Sequence, residues 1–584
     1  MGQGQSGEVH KATAEELSLQ LAEKFAQKCF SGVELYSFKD NFRSLADSTN
    51  SEGRFLYWNE DTLIRFLSIP DCLQVGSIIF QSTSYLGAFP FPSLSPAILN
   101  FEALVKVVTI FTGRYKKVLK RHPDPVKLLF RSLAVYDRQE SEGEGGKEQQ
   151  QVGEMEFEYY EDDDDDDLSL AALDALDAIE VFGQAEKSNI SHSRIPLENL
   201  RNFVAFLLVA APLEPNQPIA VFAERFSTPE ALQELRDTAE CVVRSFKSRD
   251  GKGILYRDFK KTIKESMPFL FDGLCPLFEH LLFCKKVDNS TAVAEVEPLL
   301  PHTGKILDMN LLSQLSLFIK GDNLWRRLRP LYAGSEAGFS MGSFETKVVK
   351  WTAPTILLVS GTRISRTPET HQQKMFSDTL PPRKYAAGGE VDERVVYGVY
   401  MHRPWRVSHR DCFGDSQSIL FQLAPTHRTF HASTASTDYA YFNKDDGIGF
   451  GSPVQKMKSS QRGPYLNLGP VSLTFDPALE FGVFQHIGHG GAFHTNDTRD
   501  EQEWQDLFEI EEIEVWGCGG DSEAEAQRKA WAWEEREALL RRQVNLGKDI
   551  EADRALLEMA GLIGQNRSGG IVGILSKEGG KATL

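Results

Sequence analysis

The 584-residue sequence lacks the features that would place it in a membrane or in an oxidising compartment. Its seven cysteines are scattered without paired or metal-ligand spacing, so no disulfide framework is predicted. The longest apolar stretch, residues 203–213, is interrupted by Pro212 and is too short to span a bilayer. The first twenty residues are polar, and we expect no signal peptide. These absences favour a cytoplasmic protein.

The sequence also lacks a stripe of Lys and Arg with interleaved aromatic residues, and its net charge is −19. Both features argue against direct binding to nucleic acid. Residues 137–167 contain fifteen acidic and two basic residues, and so carry −13 of the net charge. Such a segment buries too little apolar surface to offset the entropy of ordering. We expect an acidic disordered linker; a tail that binds a basic partner is the alternative.

The amino terminus carries one motif with defined chemistry. Residues 1–6 read Met-Gly-Gln-Gly-Gln-Ser, which fits the pattern for attaching myristate to Gly2 after removal of Met1. A chance match is the alternative. One acyl chain binds membranes weakly, and neither a nearby cysteine nor a polybasic run supplies a second anchor. We therefore expect weak, reversible membrane contact through Gly2.

The first half of the chain has helical periodicity. A capping box at residues 13–16 opens a helix in which Leu17, Leu21, Phe25 and Cys29 recur every fourth residue. Similar patterns continue to residue 136 and resume between residues 168 and 264. They predict an all-α region on both sides of the acidic segment.

Residues 246–259 are similar to the loop of an EF-hand that has lost its calcium ligands. With Gly253 at the sharp turn, Lys252 and Phe259 occupy ligand positions. The other register, with Asp258 last, places a lysine and an arginine there. Because an ammonium group or an apolar ring cannot coordinate Ca²⁺, we predict a degenerate, structural EF-hand-like region without a bound metal.

After about Trp351 the pattern changes to short alternating strands bounded by turns. The predicted strands are residues 355–360, 395–401, 418–423, 439–443, 471–475, 482–486 and 507–516, and a predicted helix at 307–319 precedes them. So many short strands imply a two-layer sheet in a mixed α+β unit.

The last predicted strand changes phase. Phe508 and Ile510 share one face, whereas the spacing of Ile513 and Val515 fits the other. One extra residue near Glu511 and Glu512 must therefore be absorbed, as in a β-bulge. Glu514, on the same strand, is expected to be exposed and to anchor a backbone segment or a cation, with a structural role.

Three patterns in this half suggest chemistry but lack the required spacing. Gly447-Ile448-Gly449-Phe450-Gly451 does not fit a nucleotide loop and predicts a turn with positive φ. His486, His489 and His494 surround a glycine loop, without an acid or cysteine that completes a zinc site. Ser416 lacks the second glycine of a hydrolase elbow. The sequence predicts no metal, no cofactor and no catalytic residue.

The order and spacing of these segments resemble the TLDc domain, over about residues 302–518. The residues that carry the resemblance as its structural motif are Tyr397, Gly398, Trp405, Phe421, Tyr441, Phe442, Gly447, Gly449, Gly451, Phe475, Glu514 and Trp516. The resemblance implies a β-sandwich with flanking helices. No catalytic residue comes with the family.

TLDc proteins are linked to oxidative-stress resistance and to binding the vacuolar proton-pumping ATPase, whose assembly they influence. The resemblance therefore implies a non-enzymatic, peripherally membrane-associated adaptor that binds and modulates this ATPase, with the vacuolar membrane as its expected location. The alternative is a stress-protective enzyme of unknown reaction, which would need Cys412, Cys518 or His486 as its reactive group. A nuclear factor is a third hypothesis, and the acidic charge argues that any such influence is indirect.

The sequence departs from the family pattern in two loops. Residues 366–394 replace a tight hairpin, and residues 452–463 extend the loop after the glycine-rich segment; both are expected to alter partner choice. Ala492 and Phe493 stand where the family frequently has a cysteine, which argues against a redox thiol there. The predicted organisation is a lipidation tail (1–12), a helical domain (13–136), the acidic linker (137–167), a degenerate EF-hand-like region (168–301), the TLDc domain (302–518) and a charged C-terminal helix and tail (519–584).

Overall fold

The structure of the chain is a computed structural model. It describes residues 13–48, 56–91, 95, 98–119, 125–136, 171–172, 193–215, 217–248, 251–283, 298–365, 368–381, 389–390, 393–455, 465–487, 490–494 and 503–543. The predicted lipidation tail and acidic linker lie outside these residues. No helix within the described ranges has the length and apolarity needed to cross a membrane. The chain divides into two compact units, residues 1–520 and 521–584.

Helices dominate the first half of the first unit. They are α1 (Ala14–Cys29), α2 (Gly32–Leu45), α3 (Glu60–Leu67), α4 (Gly76–Gly87), α5 (Phe101–Phe111), α6 (Val126–Leu133), α7 (Leu197–Ala210), α8 (Pro229–Val243), α9 (Tyr256–Ser266) and α10 (Leu274–Glu279). Short 3₁₀ helices lie at Asp71–Leu73, Arg114–Lys117, Ile219–Arg225 and His280–Leu282.

The predicted start of α1 is confirmed in detail. Thr13 Oγ1 accepts the Glu16 N–H at 3.2 Å, and the Glu16 carboxylate accepts the Thr13 N–H at 3.0 Å. This reciprocal box satisfies two backbone donors that the first helical turn leaves unpaired. The predicted face, with Leu17, Leu21 and Phe25, is buried. It packs into one apolar core that extends through α10.

Short strands tie the helical region together. Strands β1 (Asp47–Ser48) and β2 (Leu56–Tyr57) pair with each other, and β3 (Val135–Tyr136), β4 (Ser193–Ile195) and β5 (Ile254–Leu255) form a second small sheet. Strand β5 separates α8 from α9, which flank the predicted EF-hand-like loop. Phe259, at the position of the last calcium ligand, is buried and packs on Phe130 and Phe246. That position serves the hydrophobic core.

The second half of the first unit contains one large antiparallel sheet. Its strands are β6 (Arg329–Ala333), β7 (Thr355–Arg363), β8 (Arg394–Met401), β9 (Ile419–Ala424), β10 (Arg428–Ala432), β11 (Ala440–Asn443), β12 (Gly447–Phe450), β13 (Val471–Phe475), β14 (Phe481–His486), β15 (Phe493–His494) and β16 (Trp504–Gly517). The order is β11-β12-β13-β14-β16-β7-β8-β9-β10-β15, and β6 pairs with β16.

This sheet curls until its two halves face each other. Phe484 on β14 stacks on Tyr397 of β8, with ring centroids 4.7 Å apart, and also contacts Phe430 of β10 at 5.3 Å. These strands are separated by several neighbours along the sheet, so the rings meet only because the sheet folds over. The predicted mixed α+β class is confirmed, and the two layers are parts of one continuous sheet.

Helices flank the sheet, as expected. They are α11 (Met309–Leu315), α12 (Gly334–Ala337), α13 (Met341–Val348) and α14 (His371–Asp378), with a 3₁₀ helix at Gly321–Asn323. The second unit contains α15 (Asp521–Gln543), where a charged C-terminal helix was predicted.

The predicted bulge in the last strand is confirmed. Ile510 pairs with Gly361 and Glu512 pairs with Ser360, so Glu511 is the extra residue on β16. Its side chain is exposed, whereas Ile513 and Val515 beyond it are fully buried. The bulge thus corrects the phase of the apolar side chains on the strand that joins β7 to β14.

Candidate functional site

The residues that carry the family resemblance all lie inside the molecule. Tyr397, Gly398, Trp405, Phe421, Tyr441, Phe442, Gly447, Gly449, Gly451, Phe475, Glu514 and Trp516 are each buried. They are brought together as packing around the sheet rather than as one open site. Trp405 donates its indole N–H to Thr355 Oγ1 at 2.8 Å, and a Cβ on Gly398 would lie 2.4 Å from the Phe421 ring.

The glycine-rich segment forms strand β12, which follows a turn at residues 444–446. The predicted positive φ is confirmed at Gly447 and Gly451, at 85° and 73°, at the two ends of this strand. A Cβ on Gly447 would lie 2.1 Å from the Phe475 carbonyl oxygen. The segment pairs with β11 on one side and β13 on the other, and glycine recurs there because a side chain would clash with these neighbours.

Glu514 is buried, so the expectation that it is exposed is wrong. Its carboxylate accepts the backbone N–H groups of Lys305, Ile306 and Leu307 at 2.5, 2.8 and 3.1 Å, and the indole N–H of Trp516 at 3.0 Å. The alternative in which Glu514 anchors a backbone segment is confirmed.

A buried ionic network lies behind the same strand, and the sequence patterns did not indicate it. Arg363 is 1% exposed and Asp506 is fully buried; the guanidinium Nη2 lies 2.8 Å from Asp506 Oδ2. Tyr397 donates its hydroxyl to the same oxygen at 2.9 Å, and burial raises the Tyr397 pKa well above its ordinary value. Arg363 also donates to the Glu390 carbonyl and the Glu393 carboxylate, which closes the 366–394 insert.

The thiols and the imidazole that the enzymatic alternative names are buried or half-buried. Burial raises the thiol pKa values of Cys412 and Cys518 to about 12, so at neutral pH both are protonated. The His486 ring lies between Phe430 and Trp504. Ser416 lies in an exposed turn. His494 pairs across from His431 in the sheet, and His489 lies outside the described residues.

The hairpin of β9 and β10 is covered by the helical region. Within its turn, the His427 backbone N–H donates to the Cys241 carbonyl at 2.8 Å, and Ser245 donates its hydroxyl to the His427 carbonyl at 2.7 Å. The His427 side chain reaches the Ser266 carbonyl through Nε2 at 3.1 Å, and Thr429 donates to the Glu265 carbonyl. This hairpin is therefore occupied within the chain.

An open groove of about 840 Å³ lies between helix α14 and the turns that follow β11 and β13. Its apolar lining residues are Met375, Phe376, Tyr465, Leu466, Phe475 and Phe481, and its acidic lining residues are Asp445, Asp446, Asp476 and Glu480. We call this feature the acidic groove. Phe376 on α14 stacks on Phe481 of β14 with centroids 5.4 Å apart, which fixes the helix on the sheet.

The two loops that depart from the family pattern meet at this groove. Helix α14 belongs to the 366–394 insert, and residues 453–455 belong to the 452–463 extension. The Leu466 N–H, just after the extension, donates to the Thr379 carbonyl after α14 at 2.8 Å. Sequence reasoning flagged both inserts but could not show that they build one surface.

A curled antiparallel sheet with a buried aromatic and glycine motif defines a TLDc domain protein, and comparison with known proteins agrees. The family model described as "TLDc domain" matches residues 300–519. Over its full length the chain is similar to proteins named "Restriction of telomere capping protein 5". It is 47% identical to that of Leptosphaeria maculans and 44% identical to that of Pyricularia oryzae, with 98% of this chain and 100% of each relative covered. The relative from Aspergillus flavus is 34% identical with the same coverage. The chain belongs to the TLDc domain family.

Proposed function

We propose that the chain is a non-enzymatic adaptor that binds and modulates a large protein assembly, with the vacuolar proton-pumping ATPase as the partner that the family implies. The acidic groove carries this proposal. It is an open surface with apolar and acidic lining and without a paired nucleophile and base among its lining residues, which suits recognition of a partner better than turnover of a substrate. The raised thiol pKa values of Cys412 and Cys518 also disfavour the alternative of a stress-protective thiol enzyme.

Affinity purification tests this proposal. The tagged full-length chain is expected to co-purify ATPase subunits from fungal cells, and a chain without residues 300–519 is expected to lose them. A chain without residues 521–584 is the control for deletion itself. Retention of the subunits by the first deletion would show that the TLDc domain is not the binding element.

We further propose that an acyl chain on Gly2 supplies the membrane contact. The sequence around Gly2 supports this, and the absence of a second lipid anchor near it makes the contact weak and reversible. Intact mass measurement should show the added acyl group, and Gly2→Ala should remove both the group and membrane sedimentation. Gly4→Ala is the matched control, since it changes the neighbouring glycine and leaves the acylation site in place. Unchanged fractionation of Gly2→Ala would refute the anchor.

The names of the relatives refer to telomere capping. We propose that any effect of this chain on telomeres is indirect, because its net charge of −19 repels the DNA backbone. The purified chain is expected not to shift telomeric duplex DNA in a gel at physiological salt. A specific shift that a scrambled duplex does not compete away would contradict this.

A further inference from the structure

We propose that the acidic groove binds a basic amphipathic helix of a partner protein. The inference rests on the proposed adaptor function and adds the chemistry of the recognised segment. It is carried by the apolar lining, the exposed rim and the charge of the groove together.

The apolar side chains of the groove match the nonpolar face of a helix. Phe376 and Phe481 form a stacked, almost fully buried floor, whereas Met375 and Tyr465 on the rim are 61% and 46% exposed. Covering large apolar side chains that are this exposed contributes favourable free energy to binding, because it removes apolar area from water. A helix that projects apolar residues at positions i, i+3, i+4 and i+7 presents a matching apolar face to such a groove.

The charge of the groove selects basic flanks on that helix. Four of its lining residues are acidic, and none of the lining residues, which all lie in the described part of the chain, is Lys, Arg or His. Lys444, the neighbour of Asp445, instead pairs with Glu345 on α13 at 2.5 Å. A peptide with Lys or Arg beside its apolar face is therefore complementary to the groove, and an acidic peptide is repelled.

The acidic side of the groove is also held in place before a partner arrives. Asp476 accepts the backbone N–H groups of Glu480 and Phe481, both at 2.8 Å, which closes the turn between β13 and β14. This turn positions Glu480 beside Phe481 on the groove edge. A preformed edge lowers the ordering cost of binding. A second copy of this chain is disfavoured as the occupant because both copies carry a net charge of −19.

Binding of two synthetic peptides to the purified full-length chain tests the inference. One is a fluorescently labelled amphipathic helix of Leu and Lys, and the other replaces each Lys with Glu. Fluorescence anisotropy should show binding of the lysine peptide and at least about tenfold weaker binding of the glutamate peptide. Removing two acidic charges from the groove with Asp445→Asn and Glu480→Gln should lower the affinity for the lysine peptide about tenfold and reduce the salt dependence of its binding.

Matched variants separate the groove from general surface effects. Met375→Ser with Tyr465→Ser should weaken the lysine peptide about tenfold, whereas Val33→Ser with Tyr36→Ser, two exposed apolar residues on α2, should not. The double variant Glu234→Gln with Glu336→Gln removes two exposed carboxylates outside the groove, and it should bind the lysine peptide as the native chain does.

Equal binding of both peptides, or equal loss in groove and control variants, would overturn the inference. So would a dimer in sedimentation that only the groove variants dissociate, because the occupant would then be a second copy. Failure of ATPase co-purification with intact peptide binding would reject the partner and leave the groove assignment in place.

Discussion

At the scale of single residues, buried charge is used to hold the TLDc domain together. Glu514 and Arg363 each have several hydrogen-bond partners from distant parts of the chain. A buried charge is tolerated only when such partners satisfy it. The sequence located Glu514 on the last strand, but its partners at residues 305–307 lie about two hundred positions earlier, and no local pattern links the two.

Removing the Glu514 carboxylate should unfold the domain more easily. Glu514→Ala leaves three backbone donors without their acceptor, and we expect a loss of about 3 kcal/mol or more in the free energy of unfolding. Urea denaturation followed by tryptophan fluorescence measures it. Glu509→Ala, an exposed glutamate on the same strand, should change stability by less than about 0.5 kcal/mol. Equal effects of the two substitutions would contradict the anchoring role.

At the scale of elements, alternating patterns predicted every strand of six or more residues in the large sheet and two of the shorter ones. Seven predicted strands correspond to β7, β8, β9, β11, β13, β14 and β16. Length alone does not explain why strands β6, β10, β12 and β15 were missed, since β11 and β13 have only four and five residues. Strand β15 has two residues, β6 contains Pro330 and β12 is half glycine, and each of these features weakens a strand pattern.

The bulge on β16 can be tested by changing the residue count. Deleting Glu511 removes the extra residue, so Ile510, Ile513 and Val515 keep one face in a regular ladder, and we expect a folded chain with the native near-ultraviolet circular dichroism signal. Deleting Glu509, which pairs with Phe481 and is not the extra residue, turns the side chains on one side of the deletion over and should give an insoluble or unfolded chain. Equal effects of the two deletions would show that Glu511 does not absorb the change of phase.

The acidic groove could be predicted only in part. The sequence marked residues 366–394 and 452–463 as unusual, but the contact of Phe376 with Phe481 joins elements a hundred residues apart. Such a contact depends on how the sheet curls, and no local periodicity of the sequence determines that curl. The helix at 371–378 was hidden within a segment read as a loop.

At the scale of the whole molecule, the helical region and the sheet are joined through His427. Its Nε2 donates to the Ser266 carbonyl and its Nδ1 lies 3.3 Å from Gln314 Nε2, an arrangement that suits the neutral ring. Burial lowers the His427 pKa to about 4. Protonation of His427 at low pH should therefore weaken the contact between the helical region and the sheet and destabilise both.

The direction of the pH effect follows from this pKa. In the unfolded chain the ring binds a proton near pH 6.5, whereas in the folded chain it does so only near pH 4, so stability falls as pH drops through that interval. The full loss is about 3 kcal/mol. Urea denaturation between pH 7.5 and pH 4.5 measures the free energy of unfolding at each pH. The loss in this free energy at low pH should disappear in His427→Gln and persist in the surface variant His409→Gln. Parallel pH profiles for the native chain and His427→Gln would contradict the assignment.

The way the curled sheet terminates limits how other chains can attach to it. At one end, Ala440 of β11 exchanges both backbone hydrogen bonds with Phe413; at the other, the two-residue strand β15 covers β10. Open sheet margins are the usual templates for strand addition and amyloid-like aggregation. Shielding at these two margins lowers the tendency of the domain to template its own aggregation, and it favours a partner that engages side chains over one that adds a strand there.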